Sequence, residues 1–147
     1  MLLIIGIGNT LRRDDGAGWR MAEALAAALA HAGVAVHLEL CQQLTPEVAE
    51  TVAELAPATV LFVDASPAVP TPAVTPLHAD GGGFAASHHL SPVTCLAILD
   101  KLYGIQVAAW LVQTPAADFG HGEGLSEHAQ RGVESAAQVA EFIRSLC

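Results

Sequence analysis

The sequence predicts an α/β fold built on a mostly parallel sheet with helical crossovers, and three observations carry that expectation. Leu2 to Ile5 has the length and β-branching of a buried strand, a helical pattern follows it, and Val34 to Leu40 alternates as a second strand, which together make a β-α-β unit. The chain has 147 residues, of which 52% are hydrophobic and 14% charged, enough to bury one core without disulfides or a structural metal. No internal repeat or linker divides it, so residues 1–147 are read as a single domain.

The first strand stops at Gly6, Gly8 and Asn9, residues that tolerate the positive φ of a tight turn. Asp14 and Asp15 follow just before a helix whose apolar positions are Trp19, Met21, Ala22, Leu25, Ala26 and Leu29 and which fades between His31 and Gly33. They therefore stand at or near a helix N-terminus, whose positive dipole end keeps acids ionised. Asp14 can be an N-cap. Asp15 is then free to point into the crevice the turn opens, which makes it the candidate ligand.

After the second strand, Thr45, Pro46 and Glu47 open a helix with Val48, Val52 and Leu55 on one face, and Pro57 ends it. Thr59 to Val63 reads as a short buried strand that delivers Asp64 at its carboxyl end, where polar groups of a parallel sheet face the ligand crevice. A turn cap is the other reading of Asp64. Residues 65–87 are rich in Pro, Ala and Gly, with a possible edge strand near Ala73 to Leu77. The run Gly81, Gly82, Gly83 is expected to be mobile, either as a lid or partner-docking loop or as a plain surface excursion.

Ser91 before Pro92 caps a helix with Val93, Leu96, Ala97, Leu99 and Leu102 as apolar positions, and His88 and His89 stand at its entrance. They are either ligands or solvated loop residues. Ile105 to Val112 reads as the last strand, Gln113 to Leu125 as a long loop, and Ser126 with Glu127 as the start of a helix continuing to the C-terminus.

A net charge of −9, with 6 Lys and Arg in all, argues against a nucleic-acid partner, because neutralising phosphates needs clustered basic residues. No apolar run approaches the roughly 20 residues of a membrane span, and Met1 leads straight into the first strand, so a cytoplasmic location is expected. Cys41, Cys95 and Cys147 are odd in number and widely spaced, which suggests reduced thiols, with Cys95 a small core residue.

Three loops thus carry Asp15, Asp64 and His88 or His89 to the same end of one sheet. Two carboxylates and an imidazole suit a borderline divalent ion such as zinc or nickel, with positions left for water or a substrate group. A nucleophilic triad through Ser66 or Ser87 is the rival, but no Gly-x-Ser-x-Gly elbow is present, and no cysteine sits at a loop site beside a histidine. A dinucleotide turn is disfavoured too: the third glycine of that fingerprint would fall at Leu11, and two aspartates would repel a pyrophosphate.

At these positions the sequence resembles the [NiFe]-hydrogenase maturation endopeptidases over nearly its whole length. The resemblance rests on Gly6-Ile7-Gly8-Asn9 through Asp14-Asp15-Gly16-Ala17-Gly18, on Gln43-Leu44-Thr45-Pro46-Glu47, on Phe62-Val63-Asp64-Ala65, on Ser87-His88-His89-Leu90-Ser91-Pro92, and on Phe119-Gly120-His121-Gly122-Glu123-Gly124-Leu125-Ser126. It implies a three-layer α/β/α sandwich of the phosphorylase/hydrolase-like kind and an endopeptidase that removes a C-terminal extension from a hydrogenase large-subunit precursor after nickel insertion. The family's acid after the glycine turn maps onto Asp15, its second acid onto Asp64 and its histidine onto His88, which makes Asp15, Asp64 and His88 the expected metal-binding and catalytic set. The nickel would be the substrate's own, with zinc or another divalent ion possible in its place. A monomer is expected. The alternative is a maturation chaperone that binds nickel or the precursor without cutting it. Asp14 and Glu123 are within possible reach of the crevice as acid or base. Peptidyl-tRNA hydrolases share the Gly-x-Gly-Asn turn, but they follow it with Pro and need a basic surface; Thr10 and the charge of −9 disfavour that reading.

Overall fold

The computed structural model describes residues 1–79 and 90–147. Among them, β1 (Leu2–Ile7), β2 (Val36–Cys41), β3 (Thr59–Ser66), β4 (Ala73–Leu77) and β5 (Ala108–Pro115) form one sheet in the order β2-β1-β3-β5-β4. All neighbours pair in parallel except β4, which runs antiparallel to β5 at the edge. Pro76 is confined to that edge strand, where a missing N–H breaks no central ladder. The helices are α1 (Ala17–His31), α2 (Pro46–Leu55), α3 (Pro92–Tyr103), α4 (Glu127–Glu134) and α5 (Ala136–Leu146). None of the described helices is long and apolar enough to cross a membrane.

Strand periodicity divides the core into two layers. Leu3, Ile5 and Ile7 of β1 join Val60 and Phe62 of β3 against Ala49 and Val52 of α2 and Leu96 and Leu99 of α3. On the opposite face Leu2 and Ile4 join Leu61 and Val63 against Met21, Leu25 and Leu29 of α1 and Ala140 and Ile143 of α5. Because β1 and β3 are buried on both faces, they read as unbroken apolar runs, the expected pattern for central parallel strands. Each such Leu, Ile or Phe contributes roughly 1.5–3 kcal/mol relative to leaving it in water. The expected α/β/α sandwich is therefore the observed one.

This topology also fixes where a crevice opens. From β1 the chain crosses one face through α1 to reach β2, then returns across the other face through α2 to reach β3 on the far side of β1. The connections leaving β1 and β3 consequently diverge, and the carboxyl ends of those two strands flank a gap.

Several boundaries differ from the sequence reading: β1 runs through Gly6 to Ile7, and β2 spans Val36–Cys41 rather than Val34 to Leu40. β5 begins at Ala108 rather than Ile105, because Gly104 ends α3 in the left-handed conformation and the Ile105 N–H closes back on the Leu99 carbonyl at 3.3 Å. β3 and β5 both run further than their apolar residues, since Asp64, Ala65 and Ser66 pair with Gln113, Thr114 and Pro115. Asp64 thus lies inside the strand rather than just after it. The last helix is two helices, α4 and α5, separated at Ser135, whose N–H and Oγ both donate to the Gly132 carbonyl. Gly132 also lies flat against Pro115, where a Cβ would come within 2.7 Å of the proline ring. The glycine run at 81–83, together with Ser87, His88 and His89, falls outside the described residues.

Candidate functional site

The site begins with the turn after β1. Gly8 has φ +151°, and a Cβ there would stand 2.0 Å from the Asp15 carbonyl oxygen, so the turn and the residue that follows it in space are pressed backbone to backbone. Gly8 still donates to the Cys41 carbonyl at 3.0 Å, extending the pairing with β2. Asn9 then closes the turn: its Oδ1 accepts the Leu11 N–H at 2.9 Å, and its carbonyl accepts the Arg12 N–H at 3.0 Å. A short 3-10 helix, Arg13–Gly16, carries both aspartates into α1.

Asp15 is half-buried and is aimed by the turn itself, for the Asn9 N–H donates to its Oδ2 at 2.8 Å. Among the described residues its hydrogen bonds fall on Oδ2, which leaves Oδ1 for another partner. Asp64 comes from the other side of the gap. Gly18, in the first turn of α1, lies against the Asp64 Cα and the Val63 carbonyl at distances a Cβ would meet at 3.3 and 3.2 Å, so α1 seats both acids at the ends of β1 and β3. The Asp64 Oδ1 accepts the Ala65 N–H at 2.9 Å. Burial pushes its carboxyl up to about 6; the Ala65 N–H draws it partly back, and the nearby Asp15 charge raises it again.

Asp14, one residue before Asp15, has a different environment. It is fully buried and saturated, accepting the N–H groups of Ala117 and Asp118 on Oδ2 at 2.8 and 2.9 Å, the Ser126 N–H on Oδ1 at 2.7 Å and the Ser126 hydroxyl on Oδ2 at 2.6 Å. Burial acts to raise its carboxyl, but the Ser126 hydroxyl and the three N–H groups together outweigh it and hold the group below the usual carboxylate value. It neither caps a helix nor reaches the crevice. Its partners lie more than a hundred residues away in sequence, and Ser126, visible in the sequence as a helix cap, was the single local clue. That cap is formed, since the Ser126 Oγ accepts the Ala129 N–H at 3.2 Å.

Glu123 is exposed and lines a cleft of about 400 Å³ with Thr10, Arg13, Gly16, Arg20, Gly124 and Leu125. The Ser66 hydroxyl is buried and accepts the Ala68 N–H at 3.1 Å, a turn contact rather than a nucleophile's setting. Cys41 stands near Asp64 at the end of β2; burial first, then the charges of Asp64 and Glu39, push its thiol up to about 11. Burial, with a smaller push from Cys41, raises Cys95 to about 11 as well. Both thiols are protonated at neutral pH and are poor nucleophiles. Among the described residues no group of three His, Cys, Asp or Glu side chains could hold a metal ion, so Asp15 and Asp64 come together without a third such side chain. His88 and His89 lie outside those residues.

A mostly parallel α/β/α sandwich with paired acids at the ends of β1 and β3 gives the chain the fold of the [NiFe] hydrogenase maturation proteases. The solved structure of the maturation protease HycI from Thermococcus kodakarensis KOD1 is 27% identical, with a TM-score of 0.66 over 97% of this chain and 88% of that one. The maturating endopeptidase HybD from E. coli is 20% identical, with a TM-score of 0.69 over 98% and 92%, and HybD from Thermococcus kodakarensis is 19% identical, with a TM-score of 0.61 over 97% of each. At that lower identity the likeness is one of fold. No family model and no curated protein matches the chain.

Proposed function

We propose that this chain is an endopeptidase that removes the C-terminal extension of a [NiFe]-hydrogenase large-subunit precursor after nickel insertion. One observation carries the reading: Asp15 and Asp64, distant in sequence, converge at the carboxyl ends of β1 and β3, close enough for the charge of one to raise the carboxyl of the other. The likeness to HycI across 97% of the chain supports the reaction class. His88 joins the two acids as third ligand on the strength of the sequence resemblance alone.

The donor chemistry fits a borderline divalent ion. Two carboxylates in a half-buried crevice repel each other, a cost that a cation between them removes, and an imidazole nitrogen favours nickel or zinc over magnesium or calcium. When bound, such an ion polarises a carbonyl or acidifies a water. The chain's own part is orientation: the Asn9 N–H aims Asp15 and the Ala65 N–H aims Asp64, each fixing one carboxylate oxygen. The ion belongs to the precursor, so a substrate without nickel lacks the group that the acids engage. The protein acts as a cytoplasmic monomer on this reading.

The test is intact-mass analysis of the cognate large-subunit precursor incubated with the protein, with and without nickel loaded. Loss of a C-terminal peptide only from the loaded precursor is the expected result. Cleavage regardless of nickel would overturn the recognition role. Nickel binding with no mass change would replace the endopeptidase by a non-cutting maturation chaperone.

A further inference from the structure

Asp14 takes no part in the proposed chemistry, yet it is the most completely bonded acid described. All four hydrogen bonds accepted by its carboxylate come from the segment 117–126, and its own N–H donates to the Asp118 carbonyl at 2.8 Å. The same two stretches are joined again beside it. Arg13 N–H donates to the Gly122 carbonyl and Gly122 N–H to the Leu11 carbonyl, both at 2.9 Å, which makes a parallel bridge between Arg12 and Gly122. The Arg13 guanidinium meets Asp118 at 3.1 Å. A loop with positive φ at Gly122 and Gly124 would otherwise have little to hold its shape.

The turn that follows β1 is thus only one half of a unit, whose other half is the 117–126 loop, and Asp14 is the buried junction between them. Asp15 is the next residue along the same 3-10 helix, and its carboxylate is held by the Asn9 N–H on the other limb of the turn. We propose that Asp14 is a positioning residue, which acts through the backbone to set the aim of Asp15 and to hold the 117–126 loop as a fixed wall of the neighbouring cleft. This rests on the reading of Asp15 as a metal-engaging acid. Its physical basis is that four donors converging on one buried carboxylate leave the segment a single arrangement, whereas an amide would set an N–H₂ against N–H donors.

The experiment compares wild type with Asp14→Asn by residue-resolved amide hydrogen exchange and by Ni²⁺ titration. In the variant the amides of Ala117, Asp118 and Ser126 are expected to exchange at least about tenfold faster, and so is the amide of Asn9, which reports the hold on Asp15; Ni²⁺ affinity should fall roughly 10–100-fold, the range for lost outer-shell partners. Strand β1 should keep its protection. Faster exchange in the loop with an unchanged Asn9 amide would make Asp14 a loop anchor only and overturn the proposal. Should Asp14→Asn fail to fold, Ser126→Ala removes the hydroxyl bond to Oδ2, along with the cap on the Ala129 N–H, and spares the three amide bonds, with the same pattern at Asn9 expected at smaller size. Absence of Ni²⁺ binding by the wild type would count against the reading of Asp15 as a metal-engaging acid instead, and the Asn9 amide would still decide the role of Asp14.

Discussion

Asp14 and Asp64 stand on either side of Asp15, one beside it in sequence and the other beside it in space, and they are held in opposite ways. Asp14 is fully buried and Asp64 half-buried. Among the described residues the Asp14 carboxylate receives four hydrogen bonds and is lowered; that of Asp64 receives one, faces another acid, and is raised to about 6. The number of donors, more than the depth of burial, separates a carboxylate that builds structure from one left with a charge to neutralise. A junction is made where the donors are supplied in full, and a candidate ligand where they are withheld.

The contrast is broken most severely at the junction. Asp14→Ala leaves three N–H groups and a hydroxyl without their acceptor, at about 1–3 kcal/mol for each that water cannot reach, so a loss of about 3 kcal/mol or more in urea unfolding is expected. A loss below about 1 kcal/mol would mean that the loop is held without Asp14. Gly8→Ala should follow at about 2 kcal/mol, since φ +151° and the 2.0 Å approach to the Asp15 carbonyl oxygen both resist a Cβ. Because that contact shapes the turn that aims Asp15, Ni²⁺ affinity measured by calorimetry should fall with it.

The two acids also differ in the sign of their pH dependence. Asp14, lowered when folded, contributes stability that is present above its unfolded value of 3.8 and is lost as pH falls through the still lower folded value. Asp64 does the reverse. With its folded carboxyl at about 6 against 3.8 unfolded, the native state holds the extra proton in that interval, so its contribution falls as pH rises from about 4 to about 6. Asp64→Asn should abolish that decline, as seen in urea midpoints measured across the interval for variant and wild type. Ni²⁺ binding to the wild type should strengthen over the same range, because the ion competes with the proton. The smallest effect belongs to a control remote from both acids. Ala56 ends α2 at φ +47°, and Ala56→Gly should stabilise by about 1 kcal/mol with Ni²⁺ affinity unchanged.

How much of this was legible in the sequence depended on how local each cause is. Unbroken apolar runs disclosed β1 and β3, and the glycine turn and the acids behind those runs disclosed Asp15 and Asp64. The role of Asp14 was hidden because its partners lie at 117–126, and no periodicity links such segments. Asp64 reads as following its strand because it and Ser66 are polar; the pairing of Asp64, Ala65 and Ser66 is made with Gln113, Thr114 and Pro115 across the sheet. Ile105 to Val107 imitates a strand in composition, but the Gly104 cap turns it into a connection. The break between α4 and α5 falls at Ser135, whose N–H and Oγ both turn back to the Gly132 carbonyl, and the apolar pattern of the helix runs across it unmarked.

The pairing of Asp15 with Asp64 is tested most directly by processing of the nickel-loaded precursor by Asp64→Asn, followed by intact mass. The amide keeps the shape of the side chain and removes its charge. A folded protein is expected, with thermal unfolding at neutral pH no lower than the wild type, that leaves the precursor at full mass. Release of the C-terminal peptide at the wild-type rate would contradict the pairing.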